Sequence, residues 1–163
     1  MITKQEYMDS LAHEFHVIRH LAEKIKPEQL SHKPTDKQRT LQELMQYLTT
    51  IFIAGVDSVV TGDSAAYKKY FGGEMPTLEG FKGMMSDEEH KVMELLKSMP
   101  ESDMQTELMM WGHSQTKALH LINLLKIAAA YKMQMFLYMK QTGTENIGTM
   151  NLWAGMDQPP AQA

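Results

Sequence analysis

Three histidines, His13, His16 and His20, fall within two turns of what reads as the first helix, and imidazoles at i, i+3 and i+7 can hold a transition metal. Stepping about 100° per residue puts them at roughly 200°, 140° and 180° from Leu11, opposite the apolar stripe, so they are expected to face water. A working metal site needs outer partners that fix the rings and walls that exclude water, and a solvated face supplies neither. The expectation is a solvent-facing row with incidental metal affinity; a metal site at His13, His16 and His20 is the competing reading. His113 and His120, near the start of the last helix, read as capping or surface residues.

Charged residues on apolar stripes say more, because an unpartnered buried charge is expensive. Glu14 lies about 60° from Leu11. Glu88 falls between Met84 and Val92, and Lys132 between Leu125 and Met139. Two acids and a base pointing inward suggest that Lys132 meets Glu14 or Glu88 inside the fold; the alternative is that each snorkels out at an edge. There is no cysteine, which excludes thiolate nucleophiles, disulfides and Cys-ligated metal. There is also no Gly-rich phosphate loop, no HExxH and no GxSxG. Nucleic acid is not an expected partner: the net charge is −4, and only Arg19 and Arg39 among the 16 basic residues are arginines.

The elements that must position these groups read as helices. The first runs from Lys4 to Ile25 and is stopped by Pro27, with Tyr7, Leu11, Phe15, Ile18, Ala22 and Ile25 on one stripe. The second starts at Thr40 with Glu43 as a capping box and runs to about Val60, burying Leu41, Leu44, Met45, Leu48, Phe52, Val56 and Val59. A long connection through Gly72, Gly73 and Pro76 leads to the third, Thr77 to Met99, with Phe81, Met84, Met85, Val92, Leu95, Leu96 and Met99 inward. The fourth, from Ser114 to the stop at Gly143, is apolar on nearly every side, as expected of a central helix or one that also faces a second copy.

No strand pattern competes. The 163 residues therefore predict an all-α fold, a four-helix bundle over residues 1–143 whose second connection crosses over the end of the bundle. Residues 144–163, with Gly148, Gly155, Pro159 and Pro160, read as an irregular tail packed partly on it. The 16 methionines suggest pliable core packing. Charges are mixed with apolar residues from Met1 to Lys24, and the longest apolar stretch, Ile127 to Tyr138, is interrupted by Lys132 and Gln134. No signal peptide, no membrane partner and a cytoplasmic location are the expectation.

Two stretches resemble a known family. LQELMQYL, from Leu41, resembles the second-helix motif of the DinB/YfiT-like bundles, an apolar-Glu-apolar run ending in His-Leu. IAAAYKMQMFLYMKQTG, from Ile127, resembles that family's fourth-helix motif, HxxxHRGQ followed by an aliphatic, Tyr-containing run to a glycine. Gln134, Tyr138 and Gly143 fall in register with the family's Gln, Tyr and Gly, and the NLWAGMD tail also agrees.

The resemblance implies a DinB-like four-helix bundle in which three histidines hold a divalent metal that activates a low-molecular-weight thiol for transfer or isomerisation. Here those positions are Tyr47, Ile127 and Tyr131, followed by Lys132 and Met133. Ile127 has no donor, and tyrosine ligates only as a phenolate. The expected reading is a divergent member with a degenerate metal site, no metal ligands and no cofactor, whose vacancy is either filled as inert core or kept as a pocket lined by Tyr47, Ile127, Tyr131, Lys132 and Gln134. The function that follows is binding of a small, partly apolar ligand, or an interaction role, as a homodimer joined through helix faces. The alternatives are a DinB-type thiol-dependent transferase or isomerase with a relocated or absent metal, and a stress-associated interaction module.

Overall fold

Four threonines start the main helices. Thr3, Thr40, Thr77 and Thr116 are extended, and the hydroxyl of each accepts the backbone N–H three residues on. Glu6 and Glu43 reach back to Thr3 N and Thr40 N and complete capping boxes. In the computed structural model, which describes residues 2–158, these caps open α1 (Lys4–Ala22), α2 (Leu41–Leu48), α4 (Leu78–Ser98) and α5 (Lys117–Gln141). Three further elements are α3 (Ile51–Thr61), α6 (Thr149–Trp153) and a hairpin of β1 (Glu107–Met110) and β2 (His113–Thr116).

The fold is all-α apart from that hairpin. Helix α1 packs on α4 and α5, and α3 packs on the other side of the same two helices. Lys4 N and Nζ bond Glu101 and Met99 O beyond the end of α4, so α1 and α4 are antiparallel. Gln29 just beyond α1 reaches Thr142 at the end of α5, so α1 and α5 run the same way. The connection from Gly62 to Pro76 is the long crossover that the sequence suggested, although it runs along the side of the bundle and not over its end. It returns along the flank of α3 and α2: Tyr70 Oη donates to Asp57, Gln46 Nε2 to Gly73 O and Gln42 Nε2 to Pro76 O. That return makes α4 parallel to α2 and α3.

The stripe residues of the first two predicted helices are all buried. On the third, Met84 is exposed; on the fourth, Leu119 is exposed while Leu121, Ala128, Met135 and Met139 are core. Helices α3 and α5 touch at Gly55, where a Cβ would come within 2.4 Å of Leu124. A larger residue there forces the Leu124 methyls to move.

Three elements differ from the sequence reading. The second helix is two, broken at Thr49 and Thr50, because both hydroxyls turn back to carbonyls of the preceding turn (Thr49 Oγ1 to Gln46 O at 2.8 Å, Thr50 Oγ1 to Tyr47 O at 3.1 Å) and Thr50 leaves helical backbone at φ −138°. Residues 107–116 form a hairpin instead of loop and helix. Its turn, Trp111-Gly112, has φ of 51° and 81°, so one of its two turn residues is not glycine. The most apolar long segment is Leu41–Thr61, not Ile127–Tyr138; its mean hydropathy of 1.3 would suit a membrane span, but 72% of it is buried against the other helices, as befits a core segment. Pro159 and Pro160 lie outside the described residues.

Candidate functional site

The sequence-derived residues separate into three places. Tyr47 on α2 and Tyr131 on α5 come together, both half-buried, with ring centroids 5.0 Å apart and planes at 64°. Ile127, one turn before Tyr131, is half-buried against the core. The returning connection adds Phe71, 6.0 Å from the Tyr47 ring, and Tyr67, 4.8 Å from Phe71. Burial, with the phenols of Tyr67 and Tyr131 alongside, pushes the Tyr47 hydroxyl above its ordinary range.

Over the Tyr47 ring lies the guanidinium of Arg39, 4.2 Å from the centroid. Arg39 is placed by its backbone: Tyr138 Oη donates to Arg39 O and in turn accepts from Gln134 Nε2, so Gln134 supports the wall from behind. Tyr47, Arg39, Phe71, Gln46 and Gly72–Gly73 enclose a cavity of about 440 Å³, with Lys37 and Glu43 also lining it. Glu43 is committed to the Thr40 cap. Lys37 and Arg39 make no ion pair among the described residues. The lining residues that sequence reasoning missed have one signal, Arg39 as one of two arginines immediately before a capping threonine. Phe71 and the glycines arrive through a long-range fold-back that no local pattern encodes.

Lys132 is elsewhere. Its Nζ lies 2.7 Å from Glu14 Oε2 on α1, with 5% and 14% of the two side chains exposed, and 5.5 Å from the Trp153 ring centroid. The pair is close enough for strong Coulomb attraction, although its approach angle is not that of a hydrogen bond. Glu88 does not share in it. Only 3% exposed on α4, Glu88 accepts the Phe52 and Ile53 N–H groups through Oε1, both at 3.1 Å, and so caps α3 from another helix.

The histidine row lies at the surface, with His13 and His16 exposed and His20 half-buried, but the rings are not bare. His13 Nε2 meets Trp153 O at 2.6 Å, His16 Nε2 meets Gly155 O at 3.0 Å, and His20 Nε2 accepts from Asn151 Nδ2 at 3.0 Å. The row is the seat of the C-terminal strap, and each imidazole has a strap partner. Gly155 passes so close, at φ 62°, that a Cβ there would meet the His16 ring at 2.5 Å. His120 is likewise neither cap nor surface. At 1% exposure it joins Gln115 to Leu108 O and fixes the hairpin to α5.

These are the geometries of a known fold. The DinB-like protein YjoA from Bacillus subtilis matches with a TM-score of 0.71 at 19% identity, over 85% of this chain and 92% of that one. A DinB-like protein from Bacillus cereus ATCC 10987 matches with a TM-score of 0.68 at 18% identity, over 86% and 93%. No protein-family model matches the sequence, and no curated protein does. The likeness establishes the DinB-like fold that the two helical stretches suggested.

The metal that the resemblance implies does not fit the residues present. Ile127 offers no donor atom. Tyr47 is held away from ionisation by burial and by two neighbouring phenols, so the phenolate that ligation requires is disfavoured where it would be needed. Among the described residues, no three His, Cys, Asp or Glu side chains converge as a ligand set.

Proposed function

We propose that this protein binds a small, partly apolar carboxylate in the Tyr47 cavity, with no metal held by positions 47, 127 and 131. The observation that carries the reading is Arg39, whose guanidinium is stacked on the Tyr47 ring at the wall of a cavity large enough for such a molecule. A guanidinium lying over an aromatic ring keeps its N–H fork available, and a carboxylate is the group that accepts from such a fork. Tyr47 and Phe71 supply the apolar surface, Lys37 adds a second positive charge, and Gln46 adds polar contact. Calorimetric titration of EDTA-treated protein with phenylacetate tests this. Saturable binding that weakens by about tenfold or more in Arg39→Ala, the worth of a charge-assisted hydrogen bond, is the expected result. Binding that is absent, or equal in the variant, overturns it.

The degenerate metal site, a cytoplasmic location and a homodimer belong to the same proposal. Cytoplasmic residence accords with a chain that has no cysteine. For the dimer, the support is a set of exposed apolar side chains on one face of α5, Leu119, Met133 and Leu137, which are 47%, 38% and 48% exposed, with Asn123 and Lys126 between the first two. A face of that span is about 27 Å long, enough for helix pairing between two copies. Sedimentation should show a dimer that Leu137→Asp converts to monomer; a wild-type monomer at micromolar concentration removes this part of the reading.

A further inference from the structure

Glu88 is left incompletely satisfied by its capping role. One oxygen serves the α3 N-terminus, but Oε2 has no partner, although the residue is 3% exposed. A buried carboxyl oxygen without a partner costs the fold free energy unless something outside the chain completes it. Glu88 lines a cavity of about 250 Å³ at the α2–α3 break. That is space for a small molecule beside the unpartnered acid.

Proton accounting around this cavity identifies the chemistry it accepts. Thr49 and Thr50 line it, and their hydroxyl protons are committed to Gln46 O and Tyr47 O. Tyr70 lines it too, and its proton goes to Asp57 Oδ2 at 2.9 Å. What these hydroxyls have left is lone pairs. Lys91, exposed on α4, is the one basic side chain on the lining, and protonated Glu88 carries the other free proton. Asp87 adds a second carboxylate, while Asp57 behind Tyr70 has Lys69 3.7 Å away. Ile53 and the exposed Met84 complete the wall with apolar surface.

We infer that the cavity over the α2–α3 break is a binding site for a small primary ammonium compound with a short apolar body, its charged end meeting Glu88 Oε2 and the Thr49 and Thr50 hydroxyl oxygens. An ammonium carries three donors and no acceptor, which complements a wall of acceptors. A carboxylate ligand would face Glu88 and Asp87. A neutral alcohol would leave Glu88 protonated and make no ion pair with it. The site is separate from the Tyr47 cavity, with which it shares only Thr50.

The proposal has a thermodynamic signature. Burial pushes the Glu88 carboxyl up to about 8, so near pH 7 it is largely protonated in the free protein. Binding an ammonium ionises Glu88 and releases that proton to solvent. Calorimetry of wild-type protein with phenethylamine at pH 7, in buffers of different ionisation enthalpy, should show saturable binding with release of nearly one proton. The same titration with 3-phenylpropanol and 3-phenylpropionate should give binding at least about tenfold weaker, the scale of a lost hydrogen bond to a charge. Glu88→Gln, which keeps an acceptor for Phe52 and Ile53 N–H, should weaken the amine about tenfold or more while leaving phenylacetate binding unchanged. Should that variant fail to fold, the side-chain carboxyl carbon signal of Glu88 in labelled wild-type protein decides, and it should move to the ionised position as phenethylamine is added. An amine bound no better than the alcohol, bound without proton release, bound equally by Glu88→Gln, or added without moving the Glu88 signal overturns the inference.

Discussion

Lys132 on α5 and Glu14 on α1 face each other at 2.7 Å across the helix interface, beside the indole of Trp153, and among the described residues neither forms another ion pair. Such a pair adds little net stability over an apolar pair of equal volume, but each charge makes the other tolerable. Lys132→Met therefore leaves Glu14 uncompensated and should destabilise the fold by about 3 kcal/mol in urea denaturation. Adding Glu14→Leu should recover much of that loss. A Lys132→Met variant as stable as wild type contradicts the pairing.

Glu88 should give stability an unusual pH dependence. Burial raises its carboxyl from an ordinary 4.5 to about 8, so between these values the folded state holds a proton that the unfolded chain has released. Its contribution is complete below about pH 4.5 and is lost as pH rises through about 8. Denaturation midpoints measured across that window should fall with rising pH in wild type and run flatter in Glu88→Gln. An unchanged slope in the variant contradicts the assignment.

The strap should loosen in acid through His20. Burial lowers its pKa, Lys24 lowers it further, and Asp157, Glu23 and His16 are the other charged or titratable groups around it. Asn151 donates to the unprotonated Nε2, since its Oδ1 is already taken by Gly148 N. The stabilisation is present above about 6.5 and is lost as pH falls below it through the lower folded-state pKa. Hydrogen-exchange protection over Thr149–Trp153, taken relative to the intrinsic exchange rate at each pH, should fall between pH 7 and pH 5 in wild type. His20→Gln keeps an acceptor that cannot be protonated, and should retain protection at pH 5; an equal loss of protection in that variant would show that the latch lies elsewhere.

What could be read from the sequence is what repeats locally. The apolar stripes from Tyr7 to Ile25 and from Leu41 to Val59 sit where their spacing placed them, because burial of a 3.6-residue stripe is enforced at every turn. The break at Thr50 was hidden because the helix-like periodicity continues through it while a carboxylate from α4 takes the freed N–H groups. The spacing of His13, His16 and His20 puts them opposite the stripe, where His13 and His16 are exposed, but no local pattern reveals that these rings also meet a segment more than 130 residues later. The hairpin depends on Trp111 in a left-handed turn and on His120 beneath it, neither of which marks a strand. For the candidate site, Tyr47 and Tyr131 were named through the resemblance, but Arg39, Phe71 and the two glycines depend on the return of the second connection.

We propose that the Tyr47–Tyr131 centre of this DinB-like fold holds no metal. Elemental analysis of tag-free protein, run beside Tyr47→Phe and Tyr131→Phe, tests it most directly. The account predicts no stoichiometric zinc, nickel or manganese in any of the three. One equivalent per chain in wild type, lost in either variant, would contradict it.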